Sequence, residues 1–136
     1  MAVIYLPDTN AWISYLRRNS PALVQRFART NPSDIRLCAV VLGELIYGVF
    51  HGPSSYKDHN ESLVLKLRQQ FVSLPFDDPA AQEYGRLRAD LTAKGSLIGP
   101  NDLLIAATAL ANGLIVVTHN TSEFCRVPGL LVEDWQ

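Results

Sequence analysis

Cysteine is nearly absent from this 136-residue chain, and its two examples, Cys38 and Cys125, stand far apart with no C-x-x-C spacing. That excludes a disulfide scaffold and a thiolate zinc site, and the apolar neighbours predict two buried free thiols. Histidine is equally sparse: His51, His59 and His119 are too scattered to read as a metal-binding cluster. No apolar run approaches the roughly 20 residues of a membrane span, the longest being residues 103–111 with Thr108 inside it. With no basic-then-apolar leader at the N-terminus, the expectation is a cytoplasmic protein without membrane contact. An excess of one charge is also missing. Twelve Lys and Arg against thirteen Asp and Glu leave a net charge of −1, so no bulk basic character advertises nucleic acid. If three acids belong to a metal site, however, the remainder is slightly basic, and local arginines can still meet phosphates.

What the chain does have is 48% apolar and 18% charged residues, enough for one core and one domain spanning residues 1–136. Residues 3–6 read as a strand that ends at Pro7-Asp8-Thr9-Asn10, followed by a helix over residues 11–18 with Trp12, Tyr15 and Leu16 on one face. A short helix around Leu23 and Phe27, a turn at Asn31-Pro32-Ser33-Asp34 and a strand over residues 35–39 come next. The spacing predicts a largely apolar helix over residues 40–50, a polar helix over 56–70 with Leu63, Leu67 and Phe71 as its stripe, and a strand over 72–76. Pro79 starts another helix, capped by Gly95, and residues 101–112 form an almost wholly apolar helix ended by Gly113. Strands at 114–118 and 130–132 complete an α/β alternation, which implies a parallel sheet with helices on both sides.

Three acids stand out. Asp8 directly follows the first strand, and open parallel sheets bind ligands beyond the carboxyl ends of their strands. An Asp before a helix is also a common N-cap, so position alone leaves both roles open. Glu44 interrupts an apolar helix and has Val40, Val41, Tyr47 and Gly48 as its helical neighbours, none of them a cation. A tertiary partner or a metal must hold it. Asp102 lies in the first turn of the apolar helix after Gly99-Pro100-Asn101, where free N–H groups favour a carboxylate, and a simple capping role is again the alternative. Packed together without a counter-ion, the three would force at least one to remain protonated; a divalent cation relieves that repulsion. Oxygen-only ligands select Mg²⁺ or Mn²⁺ over zinc. His119 is near the same region and reads as a solvated loop residue within reach of a substrate.

The segments Leu6-Pro7-Asp8-Thr9-Asn10, Leu42-Gly43-Glu44-Leu45-Ile46-Tyr47-Gly48, Ile98-Gly99-Pro100-Asn101-Asp102-Leu103-Leu104-Ile105-Ala106-Ala107 and Val117-Thr118-His119-Asn120-Thr121-Ser122-Glu123-Phe124 occur in this order across the chain. In this pattern the sequence resembles the PIN-domain ribonucleases, and among them the VapC-type toxins of bacterial toxin–antitoxin pairs. The resemblance implies a PIN-like three-layer α/β sandwich, a central parallel sheet flanked by helices. It also implies a catalytic metal site of Asp8, Glu44 and Asp102 binding Mg²⁺, or Mn²⁺. The family often has a fourth acid where this chain has Asn120, with Glu123 three residues on. Asn120 is therefore a catalytic candidate, able to bind metal or water through its carbonyl oxygen, and Glu123 is a candidate ligand, an acid just behind the ligands, or simply a residue at the start of a helix. Thr9 and Thr118 are candidates for hydroxyls that support the carboxylates.

The implied reaction is Mg²⁺-dependent endoribonuclease hydrolysis by an activated water, with no nucleophilic side chain, leaving 5′-phosphate and 3′-hydroxyl ends. The implied partners are a VapB-like antitoxin, an RNA substrate such as tRNA or rRNA, and a second copy in a homodimer. Arg17, Arg18, Arg26, Arg29, Arg86 and Arg88 are candidates for phosphate contacts. Two other classes compete. A receiver-type phosphoacceptor domain would use Asp8, Asp77 or Asp78, and Thr118, but residues 130–134 offer no lysine and Glu44 and Asp102 would have no role. A haloacid-dehalogenase-type phosphatase needs an Asp where Asn10 stands. A catalytically silent PIN-like binding module is the remaining alternative, against which the three intact acids count.

Overall fold

The computed structural model describes residues 3–136. The element order is β1 (Tyr5–Pro7), α1 (Thr9–Arg17), α2 (Pro21–Arg29), β2 (Arg36–Cys38), α3 (Ala39–His51), α4 (Lys57–Gln70), β3 (Val72–Leu74), α5 (Asp78–Ala93), α6 (Pro100–Asn112), β4 (Ile115–Val117), α7 (Thr121–Phe124) and β5 (Val132–Glu133). β1, β4 and β5 form one parallel ladder in that spatial order, β2 and β3 a second, and a single parallel bridge between Tyr5 and Ile35 joins them. Among the described residues all the strand pairs are parallel, as the βα alternation predicts, and seven α-helices flank the sheet.

Strands are shorter than the apolar runs that encode them. Residues 3–6 read as a strand, but the ladder starts at Tyr5 and takes in Pro7, whose partner is Val117. Pro7 is tolerated because alternate N–H groups of a parallel strand point to opposite neighbours. Asp8 N–H reaches Val117 on the β4 side, and the missing donor of Pro7 falls on the side of β2, where pairing stops at the Tyr5–Ile35 bridge. Ala39, expected in a strand, instead begins α3, and the last strand lies at Val132–Glu133 rather than at residues 130–132. The stripe on α4 is Val64 and Leu67, continued by Phe71, with Leu63 only half-buried.

One core unites the layers. Leu6, Leu37 and Val116 from the strands and the bridging Ile35 are fully buried with Trp12, Leu23, Leu87 and Ile105 from the helices. α6 buries Leu103, Ile105, Ala106, Ala107, Thr108 and Ala109, and Thr108 satisfies its hydroxyl on the Leu104 carbonyl. α3 buries only Val41, Leu45 and Val49, leaving Ile46, Tyr47 and Phe50 exposed. Cys38 is buried as expected, but Cys125 is exposed, because Phe124 takes the inward position of α7 and Cys125 follows as its cap. Among the described residues no helix is long and apolar enough to cross a membrane.

Candidate active site

The carboxyl end of β1 places Asp8. Its backbone N–H extends the β1–β4 ladder by donating to the Val117 carbonyl at 2.9 Å, so the side chain emerges where the sheet gives way to α1. Asp8 does cap α1, Oδ1 accepting the Ala11 N–H at 2.9 Å. Capping and a site role coexist, since the other oxygen, Oδ2, accepts the Thr118 hydroxyl at 2.6 Å. Thr118 holds the equivalent place on the neighbouring strand, its N–H bonded to the Glu133 carbonyl. Only 3% of Asp8 is exposed, and burial pushes its carboxyl above the ordinary range, opposed in part by the Thr118 and Ala11 bonds and reinforced by the charge of Glu44.

Glu44 finds the tertiary partner its helix denies it. The Thr9 hydroxyl donates to Glu44 Oε1 at 2.6 Å, tying the start of α1 to the middle of α3. Thr9 therefore serves Glu44, while Thr118 serves Asp8.

Asp102 comes from the first turn of α6, and the loop before it is anchored from the opposite side. Glu123 Oε1 accepts the Gly99 N–H, and Oε2 accepts the Asn120 side-chain amide at 2.6 Å. Asn120 in turn donates its backbone N–H to Thr118 Oγ1 at 2.9 Å. These bonds hold the Glu123 carboxyl below the ordinary range. A Cβ at residue 99 would stand 3.4 Å from Glu123 Oε1 and 3.7 Å from Asp102 Oδ2, ordinary contact distances, so residue 99 lies close to both acids without a glycine being required there. The role of this N–H was not readable from the sequence, because a backbone donor leaves no signature of its own.

Asp8, Glu44 and Asp102 line one cleft of about 290 Å³ together with Thr9, Asn10, Gly99, Pro100 and Asn101. Asn120 and Glu123 stand outside that lining. Among the described residues none of the three cleft acids has a salt-bridge partner. Burial and the charges of Glu123, Asp8 and Glu44 push the Asp102 carboxyl up to about 6. Such a set is short of one cation, and its oxygen-only donors suit a hard divalent ion. No three His, Cys, Asp or Glu side chains among the described residues are already gathered as a metal cage. The three acids instead line the wall of one cleft, which leaves room for an ion that keeps several waters.

The remaining candidates divide. His119 is exposed and pairs with Asp134, Nδ1 to Oδ2 at 3.0 Å. Arg26 is a structural cation: it lies 4.7 Å from the Trp135 ring centroid and bonds Tyr5 and Glu133. Arg86 pairs with Glu83, Arg88 with the Tyr84 hydroxyl, and Arg18 sits over the Tyr15 ring. Arg17 lines a groove that borders Glu44.

A model of the PIN domain matches residues 5–130. The chain is 36% identical over 131 residues, 96% of its own length and 97% of the relative's, to a tRNA(fMet)-specific endonuclease VapC of Salmonella typhimurium. It is 35% identical over 136 residues, 98% of each chain, to Ribonuclease VapC2 of Rickettsia felis. In structure it superposes with a TM-score of 0.90 and 32% identity, covering 98% of this chain and all of the other, on a chain of the Rickettsia felis VapBC2 complex bound to a promoter DNA fragment. A chain of DNA-bound VapBC from Salmonella typhimurium gives a TM-score of 0.90 at 34% identity over 98% of this chain and 99% of the other.

Proposed function

The chain belongs to the PIN-domain family, in the group of VapC ribonucleases, and we propose that it is an endoribonuclease toxin that hydrolyses RNA phosphodiesters with a divalent metal ion, Mg²⁺ or Mn²⁺. One observation carries the metal reading: Asp8, Glu44 and Asp102 line a single cleft from three separate elements with no cation paired to any of them. These three would hold the ion. When bound, it supplies the charge that lowers the pKa of a water and offsets negative charge growing on the phosphoryl oxygens.

The chain's own residues supply position and polarity. Thr118 fixes the rotamer of Asp8, and Thr9 fixes that of Glu44, so both carboxylates present their free lone pairs to the cleft. Glu123 secures Gly99, which sets where Asp102 enters. Asn10 and Asn101, exposed at the cleft, offer amides to the non-bridging oxygens of a bound phosphodiester. The one hydroxyl in the cleft lining, that of Thr9, is bonded to Glu44, and no serine, cysteine or histidine joins it there, which favours water as the nucleophile.

The partner proposed is a VapB-like antitoxin, in line with the VapBC complexes among the structural neighbours, with homodimer formation as the assembly and the cytoplasm, where RNA is met, as the place of action. The relative from Salmonella is named for tRNA(fMet), which makes tRNA the first substrate to try, with rRNA beside it. The test is cleavage of tRNA and rRNA by the wild type, Asp8→Asn, Glu44→Gln and Asp102→Asn, alongside growth inhibition. Loss of both activities in all three variants at equal folded yield is expected. Three variants that remain toxic would remove the site.

A further inference from the structure

We propose that the face of α3 leading away from Glu44, with the groove it forms against α1 and α4, is a subsite for the single-stranded RNA next to the cleaved bond. Tyr47 and His51 would stack a base and Arg17 would hold a flanking phosphate. This rests on the ribonuclease reading and adds to it where the substrate lies.

The placement follows from helical spacing. Tyr47, Gly48 and His51 are three, four and seven residues beyond Glu44, so they share its face. Tyr47 and His51 lie about 4.5 and about 10 Å further along the helix axis. Their rings stack with centroids 5.1 Å apart and an interplanar angle of 11°, and Tyr47 is 65% exposed, which leaves flat aromatic surface open to solvent. Nucleic-acid proteins stack unpaired bases on surfaces of this kind.

Beside this face is a groove of about 180 Å³, with Glu44 in its wall as well as in that of the catalytic cleft. A strand leaving the acids therefore meets it directly. Ile13, Leu16 and Leu63 give the groove an apolar floor, and Asn60 adds an amide suited to a base edge. Arg17 lines it and has no salt-bridge partner among the described residues, unlike Arg26 and Arg86. A free guanidinium next to a stacking surface, one step from the acids, complements a polyanion that carries flat bases.

Gly48 supplies a variant that tests the groove without threatening the fold. A Cβ there meets nothing within 4 Å and the helix around it is regular, so Gly48→Leu fills the groove mouth while improving helix propensity.

The experiment is fluorescence anisotropy of full-length protein with a phosphorothioate-linked single-stranded RNA dodecamer, repeated across a salt series. Tyr47→Ala is expected to raise Kd roughly tenfold with an unchanged salt slope, and Tyr47→Phe to restore binding. Arg17→Ala is expected to flatten the dependence of log Kd on log salt by about 0.7, the share of one phosphate contact. Gly48→Leu is expected to weaken binding at an undiminished Tm. In cleavage assays, Tyr47→Ala should raise KM for long RNA and leave a dinucleotide, which reaches only the acids, unaffected. Wild-type affinity in all three weakening variants would overturn the subsite and assign this face to a protein, the antitoxin or a second copy, whose binding the same variants would then impair. A wild type that neither binds nor cleaves any RNA would instead overturn the ribonuclease reading itself.

Discussion

Glu123 accepts the backbone N–H of Gly99, fastening α7 to the residue that caps the start of α6. With its other oxygen on the Asn120 amide, this carboxylate braces the start of α6 from outside the lining of the cleft, and its charge acts on Asp102. A glutamine preserves an acceptor for Gly99, whereas an alanine frees the loop. Glu123→Gln is expected to keep most of the cleavage activity, and Glu123→Ala to lose about tenfold or more by letting Asp102 drift. Activity assays with a thermal melt of each variant check this. Equal, severe loss in both would make the charge itself essential and favour Glu123 as a ligand.

Thr118 serves two partners, donating to Asp8 and accepting from the Asn120 N–H. Thr118→Val keeps the shape and removes both bonds, so a stability loss of about 1–3 kcal/mol is expected in urea unfolding. Because the hydroxyl holds the Asp8 carboxyl down, its removal lets burial push Asp8 higher still. The acid limb of the activity profile should move to higher pH than in the wild type.

Asp102 gives the metal-free protein a pH signature. Its carboxyl is raised from 3.8 to about 6, chiefly by burial and then by the charges of Glu123, Asp8 and Glu44. Between those values the folded state binds more protons than the unfolded state, so this group's contribution to stability falls as pH rises through the window and is lowest above it. Asp102→Asn removes the effect. In EDTA its melting temperature should match the wild type below about pH 4 and exceed it above about pH 6, a gap that Mg²⁺ should narrow by stabilising the wild type alone.

Arg26 was a candidate phosphate contact by sequence, but its guanidinium is engaged with Glu133, Tyr5 and the Trp135 ring. Arg26→Ala should cost on the order of 1 kcal/mol of stability in denaturant unfolding and leave RNA affinity and its salt slope unchanged. A flattened slope would place Arg26 on the substrate path.

The acids were legible because each breaks a local rule: Asp8 at a strand end, Glu44 in an apolar helix without a cation, Asp102 at the start of a buried helix. The parallel sheet was legible from the alternation of strands and helices. The exact strand ends were not, since apolar runs continue beyond the ladder into buried helix starts, as at Cys38 and Ala39. Pairings between remote side chains were also hidden. Nothing in the sequence says that Thr9 turns to Glu44 rather than to Asp8, or that Asn120 and Glu123 bond each other. α7 was legible only as a candidate helix start at Glu123, because four residues are too few for a period, although Phe124 marks its buried side.

The most direct measurement is the cleavage of tRNA by purified protein stripped of metal, followed with and without added Mg²⁺, with the termini of the products mapped. Cleavage that depends on Mg²⁺, stops in excess EDTA, returns on readdition and leaves 5′-phosphate and 3′-hydroxyl ends is expected from a metal held by Asp8, Glu44 and Asp102. Undiminished cleavage after exhaustive chelation, or cleavage equally strong in Asp102→Asn, would overturn it.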